Sequence, residues 1–412
     1  MQANGIAIFG TGDFGEQVYH QCRFRYEVRC FIDNFPKAKE KHERPVMRPM
    51  ELLEKFKEGA RPLIVVATRD YCADVSAQLR AAGLVFGEDF ITYRELPGET
   101  LDYFSLRENF TEEEATRLMA RLRQGKKLAI LFGNCQLESV QRMLLRCPLF
   151  TERYVIMQLP PVYSYTPMKL RRLYETKFWQ LCNLFISQHV APRNRFAPEL
   201  ATDRLVKLLP PKAKTLWIPT VMFRGYFPQV TRNKRNVDTD LHQSGRFPFA
   251  DRYVDQFVQS GGAVDDIVRT IAAEDYLKPA FVQDFMETSL REMEYCDFGC
   301  DVKIHDYVEA HGRTRQLFYS EGHPTLDLLK EMARRLMTAL GLAPHLADCS
   351  DLELGPFSLK GQDVPVYPSV IRALGLKEYD TVYYPNRYLW PFKGNLVEYT
   401  EEYLRRCWGM VV

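Results

Sequence analysis

No run in this 412-residue chain stays apolar for the roughly 20 residues a membrane-crossing helix needs, so no stable membrane span is expected. Charge of one sign is not in excess either. The 55 Lys and Arg residues face 53 Asp and Glu residues, a net charge of +2, which argues against nucleic acid as a partner. The first residues lack a basic segment followed by a long apolar one, so no secretory leader is expected. Ten cysteines stand without even spacing, which speaks for reduced thiols and a cytoplasmic location. No repeat of fixed period and no low-complexity tract interrupts the chain.

What is present is the composition of an ordinary globular protein, 46% hydrophobic and 26% charged. The chain is long for one core, so two domains are expected. Strand-like runs at 6–9, 28–32 and 63–67 alternate with helical patterns, which predicts a small, parallel, Rossmann-like domain over 1–98. A connection and helix follow over 99–125, with Pro97 and Gly98 before them and Thr111 and Glu114 as a capping box. Residues 126–412 read as a larger, helix-rich α/β domain, with strands ending at 132, 186, 218 and 319. Residues 350–412, rich in Tyr, Pro and Trp, give poor periodicity and read as a tail wrapped around that domain.

Polar residues gather at the carboxyl ends of several of these strands, where open α/β sheets bind ligands. The first such place is Gly133-Asn134-Cys135-Gln136, with apolar residues at helical spacing after it (Leu137, Val140, Met143, Leu144). A thiol there would sit in the first turn of a helix, where the dipole and exposed N–H groups favour the thiolate. Gly133 permits a tight turn, and Asn134 and Gln136 could donate to a developing oxyanion. The alternative is a buried structural cysteine.

His323, in Glu321-Gly322-His323-Pro324, stands at the next turn of this kind as a candidate base or a helix cap. His189, beside Gln188, could take the same role. Arg224 and Tyr226, in an aromatic loop, could hold a nucleotide or sugar or simply pack. Cys135 and His323 are thus expected at equivalent corners of one architecture, as nucleophile and base. Cys296, Cys300, His305 and His311 are too closely spaced for a zinc-finger loop, and Ile304, Tyr307 and Val308 read as a buried helical stripe, so no metal site is expected.

Near the start, Gly10, Gly12 and Gly15 lie between a strand and a helix, and Asp33 ends the second strand about 20 positions on. That context favours a dinucleotide such as NAD, or a nucleotide-sugar phosphate, at the helix N-terminus. No residues for hydride transfer accompany it, so no dehydrogenase is inferred.

The Gly133–Gln136 corner, Ser187-Gln188-His189, Tyr226-Phe227-Pro228, Gly322-His323-Pro324-Thr325 and the segment Tyr367-Pro368-Ser369 to Leu374-Gly375-Leu376 resemble the WcbI-type family of capsule polysaccharide biosynthesis over 126–380. That family is distantly similar to SGNH hydrolases, with Gly-Asn-Cys in place of their Gly-Asp-Ser. The resemblance implies an SGNH-like domain that binds coenzyme A and acetylates a sugar hydroxyl. It places the acyl site on Cys135, oxyanion contacts on Asn134 and Gln136, and the base on His323, and it leaves Ser320 or Glu321 where SGNH enzymes carry an acid. The expected partners are then a small acyl donor, acetyl-CoA, and a sugar or nucleotide-sugar acceptor, and an oligomer is compatible with the sequence. Two other functions fit the same residues: a thiol-dependent esterase or thioesterase, and a non-catalytic nucleotide-sugar-binding component of a glycan assembly system.

Overall fold

The structure is a computed structural model, which describes residues 5–22, 26–56, 61–68, 71–93, 103–105, 112–239, 244–346, 349, 352, 358–390 and 392–411. Pro97, Gly98, Thr111 and the Glu114 side chain, and with them the expected capping box, lie outside the described residues. The fold is mixed α/β. Two compact units divide the chain, residues 1–215 with 341–358 and residues 216–340 with 359–412.

The first unit opens with β1 (Ile6–Phe9), α1 (Asp13–Cys22), β2 (Val28–Ile32), β3 (Glu40–Lys41), β4 (Arg44–Met47), α2 (Pro49–Lys55), β5 (Leu63–Val66), α3 (Cys72–Ala81) and β6 (Phe90–Thr92). Their sheet runs β3-β4-β2-β1-β5-β6 and is parallel except for the β3–β4 hairpin. Side chains alternate across a strand. Ala7, Cys30 and Ile64 therefore enter one core, and Ile8, Phe31 and Val65 the other. Apolar runs buried on both faces are what a covered parallel sheet requires.

Next come β7 (Tyr103–Ser105), α4 (Glu112–Arg123), β8 (Lys127–Phe132), α5 (Cys135–Leu144), α6 (Pro148–Thr151), β9 (Tyr154–Gln158), α7 (Pro167–Glu175), β10 (Cys182–Gln188), α8 (Thr202–Val206) and β11 (Lys214–Ile218). This second sheet runs β11-β10-β8-β9-β7 with β8 in the middle, parallel to β9 and β10. From β8 the chain moves to β9 on one side, and from β10 to β11 on the other. Adjacent strands whose connections diverge define the crevice where open α/β sheets bind ligands. Here that crevice lies between the carboxyl ends of β8 and β10. The same logic puts the crevice of the first sheet between β1 and β5.

The second unit holds β12 (Val230–Arg232), β13 (Phe249–Asp251), α9 (Arg252–Gln259), α10 (Val264–Ile271), α11 (Pro279–Asp297), α12 (His305–His311), β14 (Phe318–Ser320), β15 (His323–Pro324), α13 (Leu326–Ala339), α14 (Pro368–Leu374) and α15 (Leu396–Trp408). Here two expectations change. The run near 316–319 does not extend a parallel sheet; β14 pairs antiparallel with β15 in a ribbon of two strands. Residues 396–408, read as part of an irregular tail, form a helix with an Asn395–Glu398 capping box and Gly409 at φ +67°. Its buried stripe is aromatic (Tyr399, Tyr403), and Phe247 packs edge-on against both rings. Among the described residues, no helix is long and apolar enough to cross a membrane.

Candidate active site

At the end of β8 the chain turns through Gly133 and Asn134 into α5. Asn134 is the N-cap, in extended backbone, and its side-chain oxygen accepts from the Gln136 N–H at 2.9 Å. Gln188, at the end of β10, clamps the same corner. Its Oε1 accepts from the Asn134 backbone N–H at 2.8 Å, and its Nε2 donates to Gln136 Oε1 at 3.0 Å. A Cβ on Gly133 would lie 2.5 Å from Gln188 Oε1, so glycine is what lets the clamp close. The Gly133 carbonyl in turn accepts from the Val162 N–H at 3.0 Å.

Cys135 is the first residue of α5, half-buried and outside any disulfide, as are the other nine cysteines. Glu138, Ser139 and Arg142 follow it at helical spacing and are all buried. This polar stripe below the thiol was missed because the sequence argument followed the apolar residues of the helix. Gln158, at the end of β9, was missed as well: it is buried, its Nε2 donates to the Leu159 carbonyl, and its Oε1 finds no partner in the protein. A lone glutamine closing an apolar strand was the available signal. His189 lies on the surface of this unit, with Nδ1 3.3 Å from Thr202 Oγ1.

The glycine loop follows its expected geometry in part. Gly10 has φ +130°, and a side chain there would strike the Ala67 carbonyl; one on Gly15 would strike the Gly10 carbonyl. Gly12 faces open space. Asp33 is already engaged: it accepts from the Thr11 hydroxyl and N–H and, at 2.9 Å, from the Phe35 N–H. A ribose hydroxyl would share the carboxylate with Thr11, on the Oδ1 that the Phe35 N–H uses only in part. Lys41 reaches over the loop, with Nζ 2.6 Å from the Thr11 carbonyl and 2.8 Å from Glu16.

The remaining candidates lie in the second unit. Arg224 pairs through Nη2 with both oxygens of Glu292, at 2.9 and 3.0 Å, so its charge is balanced within the protein. Tyr226 takes the packed alternative: it is fully buried, and its hydroxyl lies at 2.7 and 3.0 Å from the Gly312 and Arg315 carbonyls. No face of its ring is left for a ligand. His305 donates from Nδ1 to the buried Asp297 at 2.8 Å, and among the described residues no group of three or more His, Cys, Asp or Glu side chains is placed to hold a metal ion.

His323 lies in β15, opposite Ser320. Protein encloses its imidazole, although the residue keeps a partly exposed edge, and burial pushes its pKa down to about 4, opposed by a hydrogen bond to the Leu359 backbone. The ring is therefore neutral at pH 7, and Nδ1 finds no partner, so neither Ser320 nor Glu321 holds it. Burial raises the Glu321 carboxyl pKa against the opposing charge of Arg224.

A depressed histidine pKa destabilises the folded state in acid. Between about 6.5 and about 4 the unfolded chain takes up a proton that the folded one refuses, so stability present above pH 6.5 is lost as pH falls. A His323→Gln variant should lose up to about 3 kcal/mol less than the wild type between pH 7 and pH 4, read by urea unfolding at each pH. Asp251 and Asp363, which burial raises to about 6 and about 7, act in the opposite direction, losing stability as pH rises through those values. The difference between the two proteins isolates the histidine. Identical acid profiles would refute the assignment.

Known proteins place the chain. A profile of the polysaccharide biosynthesis enzyme WcbI matches residues 128–345, more than half of the 412. A solved structure of WcbI, described as a novel polysaccharide biosynthesis enzyme, superposes with a TM-score of 0.55 at 21% identity, over 69% of this chain and 91% of that one. That structure is described as the native protein without a disulfide bond between CoA and one of its cysteines. No curated protein matches the chain. The chain belongs to the WcbI family of polysaccharide biosynthesis enzymes.

Proposed function

We propose that this protein transfers an acyl group, acetyl from acetyl-CoA, to a hydroxyl of a sugar during polysaccharide biosynthesis, with Cys135 at the reacting centre. One observation carries the reading: a cysteine at the first position of a ten-residue helix, behind the central strand of a parallel sheet, in a corner fixed by the Asn134 cap and the Gln188 clamp. The helix dipole there favours the thiolate. The family, and the naming of CoA in the description of its solved member, support the choice of donor.

In the covalent route the Cys135 sulfur attacks the thioester carbonyl and the carbon–sulfur bond of the donor breaks. CoA leaves as a thiolate that takes up a proton. The sugar oxygen then attacks the enzyme thioester, its proton passes to a base, and Cys135 is released. The family resemblance gives the base role to His323, neutral at pH 7 and in the second unit, while His189, in the same unit as Cys135, is the substitute. Asn134 keeps its NH2 end as a donor toward the oxyanion, since the cap uses only its oxygen. The glycine loop of the 1–98 domain would hold the phosphate of a nucleotide-sugar acceptor beside Gly12, where the backbone is open.

A ligand that binds only the folded state must raise its stability. Thermal unfolding with acetyl-CoA, NAD and UDP-sugars side by side should show stabilisation by acetyl-CoA, and adding sugars should make CoA release depend on the acceptor. Acetate formed without an acetylated sugar would turn the reading to a thioesterase. Silence toward acetyl-CoA in both assays would sink it.

A further inference from the structure

The ribbon of β14 and β15 holds a group of buried polar atoms that the protein leaves unpaired. Ser320 and His323 are directly opposed across it, so their side chains project from one face. Ser320 is fully buried and its Oγ has no hydrogen-bond partner; Nδ1 of His323 has none, and neither has Oγ1 of Thr325, two residues further on. A buried polar atom without a partner costs about 1–3 kcal/mol, and folded proteins keep few of them. Three within six residues, one of them on an imidazole, mark a place built to pair with something outside the chain.

The chemistry of the atoms limits what that is. The imidazole hydrogen-bonds the Leu359 backbone, which as an acceptor carbonyl takes the one N–H of a neutral ring, so Nδ1 offers a lone pair and needs a donor. The Ser320 hydroxyl can donate. A carboxylate presents acceptors only and would leave Nδ1 unpaired. An ammonium would bring a full charge among neutral partners. An alcohol satisfies both atoms at once. We propose that Ser320 and His323 form a socket for one alcohol hydroxyl, which donates to Nδ1 of His323 and accepts from Oγ of Ser320. Glu321, Gly322 and the edge of His323 are partly exposed, so the tip of the ribbon gives the approach. The socket lies wholly within the second unit and goes beyond the acyl-transfer reading: it adds Ser320 to His323 as a second group that touches the alcohol.

The test uses the full chain labelled with 15N-histidine, with no acetyl-CoA present, so that it stands apart from acetyl transfer. The His323 ring signals are those missing from His323→Gln. Glycerol, a small alcohol probe, should move the Nδ1 signal saturably in the wild type. Ser320→Ala should weaken that response about tenfold, while acetate and ethylammonium leave the signal in place. Should Ser320→Ala fail to fold, Ser320→Cys, similar in size but a weak donor, makes the same comparison. No saturable response to glycerol, an unchanged response without the serine hydroxyl, or an equal response to acetate or ethylammonium would each overturn the proposal. Those outcomes leave the donor chemistry at Cys135 to its own assay.

Discussion

Alanine at position 135 should lower acetyl transfer at least about a thousandfold while leaving the protein folded. Removing a covalent nucleophile typically costs several powers of ten, because the remaining groups can only bind and polarise the substrate. The fold should be spared because the Asn134 cap and the Gln188 clamp are made without the sulfur. Asn134 caps through its own oxygen, and Gln188 holds a backbone N–H and the Gln136 amide. Alanine is also well tolerated in a helix, so a stability change within about 0.5 kcal/mol is expected. Rapid quenching and intact-protein mass measurement supply the second half of the test. Wild-type protein mixed with acetyl-CoA and no sugar should gain the mass of one acetyl group, and Cys135→Ala should not. If the variant loses only tenfold or less and no acetylated wild-type protein accumulates, the transfer is direct, and Cys135 merely lines the acyl pocket.

The parts legible in the sequence were those set by local chemistry. The runs of β1, β5, β8 and β10 stand out because strands buried on both faces must be apolar throughout, and glycines or polar residues punctuate their ends. Gly10 and Gly15 were readable as a tight turn and a close helix contact. Asn134 and Gln188 could each be named from their places at strand ends, but their direct bond spans 54 residues, and no local pattern encodes it. The same limit explains the error at 316–319. A short apolar run looks alike whether its neighbour is a parallel strand or, as here, residues just after a tight turn. Tyr226 stayed open between two roles for a related reason, since an aromatic loop beside an arginine does not reveal that its hydroxyl will be sealed against two carbonyls. The helix at 396–408 was within reach: its capping box and closing glycine are present, but the tyrosine and tryptophan content obscured the periodicity.

Glutamate in place of Gln188 should turn the corner into a pH-dependent weak point. The wild-type amide accepts on one side and donates on the other, and the residue is 2% exposed. A protonated glutamic acid can copy both roles, its carbonyl oxygen toward the Asn134 N–H and its O–H toward Gln136 Oε1. An ionised one opposes oxygen to oxygen and buries a charge with no cation among those partners. The folded protein will therefore hold the new carboxyl protonated, with a pKa above the value of about 4.3 that it has in the unfolded chain. An acid whose pKa is raised by folding contributes stability at low pH that is lost as pH rises from the unfolded value to the folded one. Relative to wild type at each pH, the variant should lose about 1 kcal/mol at pH 5 and about 4 kcal/mol by pH 7.5, as read by urea unfolding. Gln188→Ala serves as the control: it strands the Asn134 N–H at every pH, so its deficit should be flat. Once it ionises, from about pH 7.5 upward, a carboxylate so near the start of α5 should also disfavour the Cys135 thiolate, making the loss of acetyl transfer in Gln188→Glu steeper there than in Gln188→Ala. Equal, pH-independent losses in the two variants would mean that position 188 is open to water and that the clamp does not hold the thiol's corner in place.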